Sequence, residues 1–205
     1  MTAGEGGILL TSDPELHERA WSLANHGRRN GGAWYEHVRP GSNCRLTGWQ
    51  AAILLAQLDR LPRQLARRAR NAAVLADKLQ SNGILLPPAA DSRVTAHGLH
   101  LYPFRIDTAR LPGVSKDLMV DALAAEGIPG VSGYPYPLYA NKLFDAHPHR
   151  RGDCPEAERF CREGFWVSHE ILLAEEADLD DFVRAVEKIR DQAGEFASMA
   201  AKAMR

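Results

Sequence analysis

The residues able to do chemistry fall into a few short stretches. Asn43 and Arg45 stand in the run GSNCRL, directly ahead of an apolar helix. An asparagine amide can donate to a phosphate oxygen without adding charge, and a guanidinium can hold a carboxylate or a phosphate. Each also has a plainer use: asparagine tolerates an unusual backbone angle after glycine, and an arginine just ahead of a helix often makes a structural pair. Tyr134 and Tyr136 alternate with Pro135 and Pro137 in GYPYPLY. Their rings suit the CH faces of a sugar, and equally suit the prolines as packing partners. His147, His149, Asp153 and Cys154 crowd one loop and superficially suggest a metal site. Nothing nearby would orient them as ligands, so the metal-free reading is taken. The basic stretches HGRRN and ARRAR lie on a loop and on one helix of a nearly neutral chain, and read as solvated surface or subunit contact rather than a nucleic-acid site.

These groups need a scaffold, and the composition allows one. The chain has 205 residues, 45% hydrophobic and 25% charged, enough to bury a core and too apolar for disorder. Net charge is −1, from 25 basic and 26 acidic residues, so no global field recruits nucleic acid or a membrane surface. No apolar run reaches the roughly 20 residues of a membrane span, and no secretory pattern opens the chain. A cytoplasmic location is expected. Cys44, Cys154 and Cys161 are read as free thiols of a reducing compartment.

Elements alternate along the chain. GEGG reads as a tight turn into a short buried strand at Gly7 to Leu10. Asp13 and Pro14 then start a helix that Gly27 stops. From His26 to Leu46 four glycines, a proline and no lasting period predict a long loop, ordered by contact through Trp34 and Tyr35. Thr47 caps an apolar helix through Leu61, and Pro62 restarts a second one to about Asn82, with Leu65, Ala69, Ala72, Leu75 and Leu79 inward and Arg63, Arg67, Arg68 and Arg70 mostly outward. A smaller α/β unit follows. Its strands are expected at Ile84 to Leu86, His100 to Ile106, Val131 to Tyr134 and Phe165 to Ser168. Its helices are capped by Ser115, started by Pro155, and begun near Asp178; the tail EFASMAAKAMR has little to anchor it.

In this order GEGG, the helix ending HG, GSNCRL, WQAAILLAQL, HLYPFRI, GVSKDLMVDALAAEGI, GYPYPLY and the closing helix resemble the DegT/DnrJ/StrS family of pyridoxal-phosphate aminotransferases, over essentially the whole chain. The resemblance implies an α/β fold: the end of the large domain plus the small C-terminal domain of the fold-type I, aspartate aminotransferase-like architecture. It implies a division into residues 1–46, large-domain remnant and inter-subunit loop, 47–83, connecting helices, and 84–205, small domain. It implies a homodimer in which Asn43 reaches the cofactor phosphate of the neighbouring subunit. Arg45, His100, Tyr134 and Tyr136 become candidates to face the substrate, although a histidine at a strand end is more often half-buried and hydrogen-bonded. The wording GYPYPLYANKLF and WVSHEILL leans to the cyclitol or aminobenzoate branch.

In the family a Schiff-base lysine stands just upstream of GEGG, which would place it ahead of Met1. Lys78, Lys116, Lys142, Lys188 and Lys202 are all read as solvated, because a Schiff-base lysine needs a rigid, partly desolvated setting. Two functions follow: the C-terminal portion of an enzyme moving an amino group from an amino acid to a keto-sugar or keto-cyclitol, or a truncated non-catalytic module keeping the fold and dimer surface. In either case this chain alone is expected not to hold pyridoxal 5'-phosphate stably.

Overall fold

The structure, a computed structural model, describes residues 1–146 and 152–203. The chain divides into two compact units, Met1–Pro62 and Arg63–Arg205, with the boundary near the start of a long helix.

In the first unit the GEGG turn forms, with Gly4 at φ +86°. The strand expected after it does not. Ile8, Leu9 and Leu10 are unpaired and 70%, 59% and 88% exposed, because a strand needs a hydrogen-bonded neighbour and no segment of the unit provides one. Helix α1 (Pro14–Ala24) starts as its sequence demands: the Asp13 carboxylate accepts from Glu15 N at 2.8 Å and Leu16 N at 3.2 Å. It ends before Gly27, at Asn25, and His26 and Gly27 take left-handed angles of 60° and 76° that turn the chain away. The loop returns along the end of α1, with Ser42 N donating to Leu23 O at 2.8 Å and Cys44 N to Ala24 O at 2.9 Å. Helix α2 (Gly48–Leu58) buries none of its residues, so its apolar sequence faces outward in this unit. Two of its glutamines lace the opening turn to it: Gln50 Nε2 donates to Ala3 O and Glu5 O, each at 3.1 Å, and Gln57 pairs with the backbone of Thr2.

Helix α3 (Leu61–Gln80) leads into the second unit, where a four-stranded antiparallel sheet has the order β1-β2-β4-β3. Its strands are β1 (Leu85–Leu86), β2 (Leu101–Ile106), β3 (Gly130–Ser132) and β4 (Gly164–Ser168). Along β2, Tyr102, Phe104 and Ile106 alternate inward as their period-two spacing requires. Phe104 stacks on Phe165 of β4 and on Phe182, centroids 5.6 Å apart in both pairs, while Tyr102 meets its edge at 4.9 Å. Around this aromatic centre pack α4 (Lys116–Ala125), α5 (Pro155–Glu163) and α6 (Glu176–Asp191), whose Met119, Leu123, Phe182 and Val186 are fully buried. The tail forms a helix, α7 (Ala193–Ala203), with Phe196 and Ala197 against the core.

Two readings of α3 and α4 need correction. The buried face of α3 runs through Arg68, Asn71, Leu75 and Leu79, and Ala69 is exposed. Arg68 turns inward because its Nη1 reaches Leu99 O at 3.3 Å, and Asn71 because its amide caps Leu172 O and Ala174 O, each at 3.0 Å. Lys116 is buried at 7% exposure instead of solvated, for a reason given below.

Candidate functional site

In the first unit Asn43 and Arg45 line a cleft of about 750 Å³ together with Gly6 and Gly7 of the opening turn. The returning loop brings them there. Asn43 bridges Asn25 at the end of α1, and Gly41 packs so closely on Gly27 that no side chain would fit at either position. A Cβ on Gly41 would lie 2.2 Å from Gly27 N, and one on Gly27 would lie 1.7 Å from Arg39 O. Asn43 does not have a left-handed backbone; His26, Tyr35 and Leu99 are the non-glycine residues that do among those described. Its Oδ1 accepts from Arg45 N at 3.3 Å in an Asx turn, which leaves the amide nitrogen, with its two hydrogens, facing solvent. Arg45 is held from behind, its Nη1 donating to Asn25 Oδ1 at 2.6 Å. Such an edge offers uncharged and charged donors to one anionic group, and this donor set fits a phosphate.

The second unit holds a separate cavity of about 720 Å³ with mostly apolar walls. Tyr134, Tyr136, Tyr139, Phe160 and Cys161 are among the residues that line it. Tyr134 and Tyr136 are 67% and 47% exposed, so both rings have a free face, and Tyr134 leans on Trp166 of β4 at 5.4 Å. A short turn at Leu138–Ala140 closes the loop, and Tyr139 Oη bonds Glu158 at 2.6 Å. His100 does not line this cavity. It is exposed, one residue ahead of β2, and next to Leu99, whose φ is +43°.

Two residues outside the sequence candidates take part in holding these sites. Asn25 anchors Arg45, and Lys116 donates from Nζ to Gly133 O at 2.9 Å, Tyr134 O at 3.0 Å and Cys161 O at 2.7 Å. With all three ammonium hydrogens committed to carbonyls, Lys116 is unsuited to Schiff-base chemistry. Cys44, Cys154 and Cys161 are free thiols. His147 and His149 lie outside the described residues; among the described ones no group of histidine, cysteine and carboxylate side chains could hold a metal ion, and no helix is long and apolar enough to cross a membrane.

The profile of the DegT/DnrJ/EryC1/StrS aminotransferase family matches residues 1–187. The chain belongs to this family. Among its relatives, a Micromonospora echinospora protein named, provisionally, as an L-glutamine:3-amino-2,3-dideoxy-scyllo-inosose aminotransferase is 37% identical over 95% of this chain and 51% of its own length. The 3-amino-5-hydroxybenzoate synthase of Amycolatopsis mediterranei is 30% identical over 87% of this chain and 48% of its own. A crystal structure of 3-amino-5-hydroxybenzoic acid synthase superimposes with a TM-score of 0.80 at 27% identity, covering 95% of this chain and 52% of that one. The DegT/DnrJ/EryC1/StrS chain thus has the α/β fold of fold-type I aminotransferases and spans about half the length of the curated relatives it matches. The family is pyridoxal phosphate-dependent.

Proposed function

We propose that this chain supplies the phosphate-contacting edge and the substrate-facing loop of a pyridoxal phosphate aminotransferase that moves an amino group from glutamine to a keto-cyclitol. The observation that carries the reading is the uncommitted amide of Asn43, presented on the cleft edge by an Asx turn within the stretch that matches the family. The cofactor, when bound, accepts the amino group and spreads the charge that develops at the reacting carbon. The chain's own residues bind and orient. Asn43 donates to the phosphate, across a homodimer interface, and Arg45, steadied by Asn25, offers its guanidinium to an anionic group of cofactor or donor. Tyr134 and Tyr136 pack on the face of a ring substrate and keep water from it. The relatives' names support this acceptor class, as do the cavity's apolar walls, which suit an uncharged ring better than a nucleotide diphosphate. Residues 1–46 are assigned to the large domain, 47–83 to connecting helices and 84–205 to the small domain. His100 is assigned a place toward the substrate by the same family logic.

The test joins this chain to a large domain bearing the Schiff-base lysine. Asn43→Ala removes a hydrogen bond to a charged group, about 1.5–3 kcal/mol, and cofactor retention should weaken roughly ten- to a hundred-fold. Mixing Asn43→Ala subunits with subunits lacking the lysine should restore about one competent site per heterodimer. Unaltered cofactor affinity in the folded variant would remove Asn43 from the site, and amino transfer to a nucleotide-linked keto-sugar in preference to a keto-cyclitol would overturn the acceptor class.

A further inference from the structure

A charged ammonium in a protein interior is costly unless its hydrogens are satisfied. Lys116 is 7% exposed, and among the described residues no carboxylate pairs with it. Its place is unfavourable in a second way, because it opens helix α4, where the positive end of the helix dipole repels a cation. What offsets both penalties is a cage of three carbonyl oxygens from two other segments. Gly133 and Tyr134 lie just past β3, and Cys161 is in the last turn of α5, where carbonyls lack helical partners and the dipole is negative. Three donors meet three acceptors at 2.7–3.0 Å.

The lysine therefore joins the backbone on which Tyr134 stands to the helix that carries Cys161, two walls of the same apolar cavity. Beside it, Gly133 N donates to Gly164 O at 3.0 Å, and farther along the loop Tyr139 Oη bonds Glu158 of α5 at 2.6 Å. We infer that Lys116 is a positioning residue that sets the mouth of the Tyr134–Tyr136 cavity, holding Tyr134 against Trp166 and the loop against α5. As a device for substrate recognition this rests on the proposed role of that loop; as a statement about the loop's position it does not.

The experiment uses the 205-residue chain and the indole N–H resonances of its four tryptophans. Trp166 touches Tyr134, whereas Trp21, Trp34 and Trp49 belong to the other unit and serve as internal controls. In Lys116→Met, which keeps the stem and removes the ammonium, the Trp166 resonance should move or broaden while the other three hold. In Lys116→Ala the missing part is a propylammonium ion, so adding propylammonium should return Trp166 toward its wild-type position, and propanol or tetramethylammonium should not. If Lys116→Met does not fold, Lys116→Ala refolded in propylammonium gives the folded baseline, and dialysing out the amine gives the reading. An unmoved Trp166 resonance in a folded variant, rescue by propanol as well as by the amine, or failure of propylammonium to rescue Lys116→Ala in any respect would each overturn the inference. Because no substrate is present, none of these outcomes depends on the acceptor class.

Discussion

Tyr102 gives the chain a dependence on alkaline pH that can be worked out from its surroundings. The side chain is 4% exposed on the inward face of β2, its ring edge against Phe104 and its hydroxyl donating to Ala72 O at 3.1 Å. Burial disfavours the phenolate and pushes its pKa from 10.0 up to about 12. Since the folded value lies above the unfolded one, the neutral tyrosine's stabilisation is complete below pH ~10 and is lost as pH rises through ~12. A gap of about 2 units, at about 1.36 kcal/mol each, makes the loss about 2.7 kcal/mol, a sizeable part of the roughly 5–15 kcal/mol that holds a domain folded. Urea unfolding of wild type and Tyr102→Phe, followed by far-UV circular dichroism at intervals between about pH 9 and 12, isolates the effect. The other four tyrosines and all the lysines titrate in both proteins and cancel in the difference. The stability difference should shift by about 2–3 kcal/mol in favour of Tyr102→Phe across that range. Parallel pH profiles would refute the burial argument.

Phe104→Ala removes the ring on which Phe165 and Phe182 both stack, and should cost about 3–5 kcal/mol, read as a lower urea midpoint of the second unit; a loss under about 1 kcal/mol would mean the cavity collapses fully. Gly41→Ala forces a Cβ to 2.2 Å from Gly27 N, so the loop that presents Asn43 must open. It should lose about 1–3 kcal/mol locally, and exchange at the Ser42 and Cys44 amides should speed up; unchanged exchange at both would show that the glycine contact does not hold the loop.

Much of the second unit could be read from its sequence because its signals are local. Tyr102, Phe104 and Ile106 alternate with period two, Ser115 and Pro155 mark helix starts, and β2 and α4 appear within a residue or two of the expected bounds. The failures share a cause. Ile8 to Leu10 has the composition of a strand, but a strand is a relation between segments, and no segment of the first unit pairs with it. On α3 the apolar pattern pointed through Ala69, whereas Arg68 and Asn71 face inward because they satisfy carbonyls of Leu99, Leu172 and Ala174, roughly 30 and 100 residues away in the chain. Hydrophobic periodicity does not register such demands.

The sites divide the same way. Asn43 and Arg45 were visible as a motif, and the Asx turn that frees one end of the asparagine amide is the kind of local geometry a Gly-Ser-Asn run favours. That Arg45 is fixed by Asn25 could not be seen, since the bond spans the whole glycine-rich loop. Lys116 is the instructive case. Its sequence position carried a warning: a cation in the first helical turn opposes the dipole, and Asp117 beside it is the residue type that turn prefers. A lysine there must either reach away into water or find strong acceptors elsewhere. Composition alone favours water, because lysine is seldom buried. The structure has the other solution, since the negative end of α5 and the backbone past β3 converge on the ammonium from outside α4. A charge placed against its own helix is thus a sign of a long-range partner, and here the partners are the backbone of the two walls that flank the tyrosine cavity.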